Sequence, residues 1–317
     1  MVTFEDIISA KERIEKYISV TPLDFSMKLS KDEMNVYLKL ECQQKLKNFK
    51  IRGALSKITS LTEEEKERGI IASSSGNHAS GISFASHLLG VKKSKVFVPE
   101  TAPSAKIEKI KYYGAEVVQA GKNYDDTHKI ALEVTEKENL TFVDSSSDVE
   151  VIAGQGTIAL EILEQNPDID IIVVPIGGGG IITGVSVAAK HIKPEIKIVG
   201  VQTAACPAMV KALADKKCYL EYPSEESICD ALVGGVSEIP YKMAEQCIDR
   251  IVVVDESKIK QAITMLLLEE KVVAEPAGAV GVAAIISYPQ LFKGKNVAVI
   301  ITGGNIDQDL MKQLIIS

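Results

Sequence analysis

The sequence predicts an α/β protein of two domains, with mostly parallel, twisted sheets flanked by helices. Three observations carry that expectation. Short β-branched runs alternate with longer stretches of helical period. The runs are apolar almost throughout, as strands covered on both faces are. And 317 residues suffice for two hydrophobic cores.

In chain order the strand-like runs are VYLKLE (36–41), IIASS (70–74), KVFVP (95–99), EVVQA (116–120), IIVVPIG (171–177), KIVGVQ (197–202), RIVVVD (250–255) and VAVIIT (297–302). Helical periodicity fills NHASGISFASHLLG (77–90), NYDDTHKIALEVTEKEN (123–139) and ESKIKQAITMLLLEEK (256–271). No fixed repeat and no Pro/Gly-rich linker marks a boundary, so the chain is expected to cross between its domains more than once.

Composition narrows the function classes. Aromatic residues make up 5%, tryptophan is absent and the net charge is −7, a poor match to a phosphate backbone or a base-stacking platform. The charged, amphipathic N-terminus lacks the apolar core of a secretory signal, and no apolar run reaches the roughly 18 residues that span a bilayer. Five widely spaced cysteines without a Cys-x-x-Cys pair are expected to be reduced thiols of the cytoplasm. The four histidines lack metal-ligand spacing, so no metal is expected.

In open α/β sheets ligands bind beyond the carboxyl ends of the strands, and four suggestive turns fall there. The first is Ser73, Ser74, Ser75, Gly76 and Asn77, leading into a helix near His78. A plain helix cap would explain one such residue; three serines and an asparagine suit an anion. The second is Gly177, Gly178, Gly179 and Gly180 between a buried strand and a helix. It fits neither the Gly-x-Gly-x-x-Gly fingerprint nor a Walker loop, which leaves a flexible loop or a cradle for one monophosphate. The third, Thr302-Gly-Gly-Asn305, is ordinary turn chemistry taken alone. The fourth places Glu275 before Pro276, where a glutamate reads first as a helix-start charge. Against these stands Lys50 beside Phe49. A monophosphate cradle, an anion turn and a lysine next to an aromatic ring together describe a lysine carrying an aldehyde cofactor, pyridoxal 5'-phosphate.

The ordered motifs NFKIRGA, SSGNHASG, AGQGT, GGGG, EPAGA and GGN resemble the fold-type II pyridoxal-phosphate enzymes, nearest the serine/threonine dehydratases (ammonia-lyases) and the serine racemases. The resemblance implies Lys50 as the Schiff-base lysine and catalytic base, with Phe49 the ring beside it. It implies Asn77 at the cofactor's 3-hydroxyl, Gly177–Gly180 at the phosphate and Thr302 at the pyridine nitrogen, where the family usually has serine. Ser74, Ser75, Gly76, Asn77 and His78 match the turn that grips the substrate carboxylate, and Ser75 aligns with the second acid/base of racemases. A small domain over 69–146 between large-domain segments 1–68 and 147–317, and a homo-oligomer, dimer or tetramer, are implied as well.

Three departures stand out. Leu46, Lys47 and Asn48 replace the family's usual Thr-Gly-Ser, which is expected to alter the substrate side of the pocket. Thr302 keeps the hydroxyl of the serine it replaces. Gln202 and Ala208 stand where a racemase-like cation site has carboxylates. The chain also stops fifteen residues after Thr302, short of the regulatory domain of the biosynthetic threonine enzymes. The expected activity is dehydration and deamination of L-threonine or L-serine to a 2-oxo acid and ammonia. The rivals are a racemase, a β-replacement enzyme and a non-catalytic binding module, the last of which would have no use for Lys50.

Overall fold

The structure, a computed structural model, describes residues 1–31 and 33–316. Among the described residues, ten strands form two sheets: β1 (Leu23–Phe25), β2 (Asn35–Leu40), β3 (Ile70–Ser73), β4 (Ser94–Val98), β5 (Glu116–Gln119), β6 (Thr141–Phe142), β7 (Ile171–Pro175), β8 (Lys197–Thr203), β9 (Arg250–Val254) and β10 (Asn296–Ile301). The larger sheet runs β1-β2-β10-β7-β8-β9 and the smaller β5-β4-β3-β6. Every pairing is parallel except β1 with β2. All eight runs read from the sequence are strands, and β1 and β6 are additions.

The near-continuous apolar strands are explained by what covers them. Val297, Val299 and Ile301 pack on one face of the larger sheet with Val173, Val199 and the helix Pro276–Ser287. Ala298 and Ile300 pack on the other with Ile172, Ile198 and the helices Val149–Gln165 and Gly180–Ile192. A strand buried on both sides has no polar face to alternate. No described helix is long and apolar enough to cross a membrane.

The helix Lys50–Ser60 is fixed from behind by charge. Arg52, fully buried, donates to both oxygens of Glu41 (2.8 and 2.8 Å) and to both oxygens of Glu161 (2.7 and 2.9 Å). Lys39, also buried, reaches Glu161 at 2.6 Å, so two cations meet two carboxylates. Removing one member would leave an unpaired interior charge, which costs about 3–5 kcal/mol. Nothing local in the sequence announces this cluster.

Candidate active site

Lys50 owes its place to a seam between two distant segments. The N–H of Phe49 donates to the Thr302 carbonyl at 2.9 Å, and that of Gly304 to the Lys47 carbonyl at 2.8 Å. Asn48 is buried between them. Its side-chain oxygen accepts the Lys50 N–H at 2.9 Å and its amide donates to the Leu46 carbonyl at 2.8 Å. Both polar ends of Asn48 therefore bond within the turn, which gives this one of the three departing residues a structural role. The seam starts the Lys50 helix beside the carboxyl end of β10.

The Lys50 amine points into the molecule. Nζ donates to the Ser145 carbonyl at 2.9 Å and lies 5.2 Å from the centre of the Phe49 ring. Burial pulls the amine down to about 8, with Asp144 alone pulling it back. This is no surface cation. Asp144 also organises the serine turn that receives Lys50, accepting the N–H groups of Ser146 (2.8 Å) and Ser147 (2.6 Å) through one oxygen.

That turn packs on the glycine loop. A Cβ built on Gly178 would lie 2.5 Å from Ser146 Oγ, and Gly179 has φ +97°, a conformation L side chains rarely adopt. Ser146 and Ser237 share a hydroxyl hydrogen bond of 2.7 Å beside the loop. From Gly177 to Ile182 the backbone N–H groups find no acceptor among the described residues. Several of these residues are buried, as are the first turns of the helix Gly180–Ile192. Unpaired buried donors at a helix start need an anion, and a monophosphate matches them. Thr302 is a buried residue just after β10, and its hydroxyl makes no hydrogen bond among the described residues. Amine, unpaired donors and free hydroxyl together fit pyridoxal 5'-phosphate.

The first turn arrives from the smaller sheet. After β3, Ser74 Oγ accepts the Gly76 N–H at 3.2 Å, while the Ser75 hydroxyl makes no hydrogen bond among the described residues. The N–H groups of Asn77, His78 and Ala79 at the start of the helix Asn77–Leu88 are likewise without an acceptor there. The ring of His78 is buried and held at 3.0 Å from the Val143 carbonyl, so it contributes to this turn through its backbone, not its imidazole. Burial, then the nearby Lys50, push it down to about 4, which keeps it neutral.

Asn77 is held on both sides. Its amide donates to the two oxygens of Glu275 at 2.8 and 3.1 Å, and its oxygen accepts from Asn305 at 2.8 Å. Burial raises the Glu275 carboxyl to about 7. The sequence reading of Glu275 as a helix-start charge is thus half of the matter. It does sit at the N-cap of the helix Pro276–Ser287, but its side chain makes no capping bond there; it is buried and accepts from Asn77. A signal was present: PAGAVGVAAII (276–286) is apolar on every face, as a fully buried helix is, and the structure buries every residue from Pro276 to Ile285. Sequence reasoning also passed over the Ser145–Ser147 turn, although it repeats the triple serine of 73–75. Gln202 is engaged elsewhere, its oxygen accepting the N–H groups of Met209 (3.0 Å) and Val210 (3.1 Å) at the start of the helix Ala208–Asp215.

Comparison with known proteins agrees with pyridoxal phosphate as the cofactor. The profile of a family described as pyridoxal-phosphate dependent enzymes matches residues 14–303. Over 317 residues the chain is 42% identical to an L-threonine ammonia-lyase of Thermotoga maritima, covering 99% of this chain and 78% of that protein. It is 40% identical over 315 residues to a catabolic L-threonine dehydratase of Staphylococcus aureus, covering 97% of this chain and 90% of that one. Among solved structures, that of maize serine racemase superposes with a TM-score of 0.93 at 32% identity, covering 99% of this chain and 97% of the other.

Proposed function

The chain belongs to the pyridoxal-phosphate dependent enzymes, and on that footing we propose that it dehydrates and deaminates a β-hydroxy amino acid, L-threonine or L-serine, to a 2-oxo acid and ammonia. The observation that carries this is the likeness, over nearly the whole chain, to relatives named for that reaction on threonine.

Bound pyridoxal phosphate would supply an electron sink for the bond broken at Cα. We assign the rest to the chain. The N–H groups of Gly177–Gly180 and the first residues after them hold the phosphate. Asn77 would hold the ring hydroxyl, Phe49 would flank the ring, and Thr302 would serve the ring nitrogen. Thr302 is neutral, so it leaves that nitrogen unprotonated, which favours elimination over transamination. Ser74, Ser75, Gly76 and the free N–H groups of Asn77 and His78 bind the substrate carboxylate. The Lys50 amine takes the Cα proton, and its burial keeps a neutral fraction available near neutral pH. Loss of the β-hydroxyl as water leaves an enamine that hydrolyses to the 2-oxo acid and ammonia.

Racemisation is the second reading, favoured by one observation: the Ser75 hydroxyl is unengaged and so open to act as an acid on the opposite face. We further propose that residues 69–146 form the small domain. Five free thiols, four of them buried, support a cytoplasmic protein. Exposed Val20, Phe25 and Met27 around the edge strand β1 support a homo-oligomer. The assay is ammonia release from L-threonine and L-serine by protein with and without added cofactor. Release that requires the cofactor is expected, and none from either substrate would refute the proposal.

A further inference from the structure

The helix Ser104–Tyr112 follows β4 in the smaller sheet, yet two of its lysines touch residues of the larger unit. Lys106 Nζ lies 3.1 Å from Asp230, an exposed pair of little consequence. Lys109 is different. Its Nζ donates to Asn305 Oδ1 at 3.0 Å, and the amide of Asn305 donates in turn to Asn77 Oδ1 at 2.8 Å and to the Leu46 carbonyl at 3.0 Å. Asn77 then donates to Glu275. Four side chains from four separate segments form one unbroken chain of hydrogen bonds.

Its polarity is set at Asn305, by Lys109 on the oxygen and the Leu46 carbonyl on the amide. An ammonium only donates, so Asn305 must turn its oxygen toward Lys109 and its amide toward Asn77. Asn77 must then present its oxygen to Asn305 and its amide to Glu275 and the pocket. Without Lys109 the Leu46 carbonyl alone holds the Asn305 amide, and the opposite orientation of Asn305 and Asn77 loses one of the two contacts that oppose it. Burial lowers Lys109 and Glu275 raises it again, which is consistent with an ammonium close to the same carboxylate.

We propose that Lys109 is a positioning residue for the cofactor's ring, acting through Asn305 to fix which end of the Asn77 amide the ring hydroxyl meets. The inference rests on the assignment of Asn77 to that hydroxyl. It makes the seating of one helix of the smaller sheet a condition for correct cofactor electronics.

The test uses holoenzyme variants and reads the visible absorption band of bound cofactor, cofactor affinity and melting temperature. Lys109→Met should move the band and weaken cofactor binding roughly three- to tenfold, the effect of one hydrogen bond. Lys109→Arg, which keeps a donor, should restore both. Lys111→Met, at an exposed position of the same helix, should leave both unchanged. A Lys109→Met protein with wild-type band and affinity would overturn the proposal, as would a drop in melting temperature with an unmoved band. Asn77→Ala separates the two levels. If it moves the band and Lys109→Met does not, only the relay fails; if neither moves it, the assignment of Asn77 fails as well.

Discussion

Lys50 Nζ donates to the carbonyl of Ser145 at 2.9 Å, and so ties the helix that begins at Lys50 to the serine turn packed on the glycine loop. One hydrogen bond thereby sets the distance between the reactive amine and the anion cradle. The amine is held inside the protein at some energetic cost.

That cost gives the first prediction. Lys50→Ala should lose turnover by at least about a thousandfold, and should lose the yellow colour of cofactor bound at Lys50. It should still fold. In cofactor-free protein its stability should differ from wild type in a pH-dependent way. The folded value is lowered from 10.5 to about 8, so the unfolded chain binds the extra proton in between. The Lys50 contribution is complete above 10.5 and is lost as pH falls through about 8. Thermal melts from pH 7 to 10.5 should therefore show wild type gaining on the variant as pH rises. A constant difference would mean that the amine is not buried.

Glu275 should behave with the opposite sign. Its folded value is raised from 4.5 to about 7, so its contribution is present below 4.5 and lost as pH rises through about 7. Glu275→Gln should gain in stability over wild type between those limits. Denaturant melts at pH 4.5 and pH 8 decide it, and a variant that loses ground at pH 8 would contradict the assignment.

The glycine loop separates cofactor binding from folding. At Gly178 an added Cβ meets the Ser146 hydroxyl at 2.5 Å, which can swing aside by giving up its bond to Ser237. Gly178→Ala should therefore weaken cofactor binding about tenfold, with a small loss of stability. At Gly179 the Cβ would meet Pro240 Cβ at 2.5 Å, at φ +97°. Gly179→Ala adds backbone strain of about 1–2 kcal/mol to that clash, so melting temperature should fall along with affinity. Equal effects at the two positions would count against a cradle at Gly178.

Much of this was legible in the sequence, and the rest was hidden for identifiable reasons. The eight long strands announced themselves through apolar runs, whereas β6 has two residues and β1 has three, too few for any period to register. The Ser/Gly/Asn turns stood out because strand-turn-helix junctions have a local signature. The partners that give those turns their chemistry do not. Asn77 and Glu275 are 198 positions apart, Asn77 and Asn305 are 228, and Lys50 and Ser145 are 95. Such pairings are made by the fold. Glu275 illustrates the difference, because its place at a helix start follows from Pro276 and its burial only from what surrounds it.

Ser75 carries the choice between the two readings. Where its hydroxyl only helps to hold the substrate carboxylate, Ser75→Ala should cost about 1.5–3 kcal/mol in dehydration, roughly ten- to more than a hundredfold in rate. Were it a racemase acid/base, the same change would abolish D-serine formation and spare much of the elimination from L-serine. Steady-state rates for both products from one variant distinguish these, and the first is expected.

The most direct measurement of the central claim is product analysis on wild-type holoenzyme with a panel of β-hydroxy amino acids, L-threonine and L-serine first. The 2-oxo acid, ammonia and the inverted enantiomer are quantified together. Equal amounts of 2-oxo acid and ammonia, with little inversion, are predicted. Inverted product forming as fast as ammonia, or inversion without any 2-oxo acid, would contradict dehydration as the function of the Lys50 site.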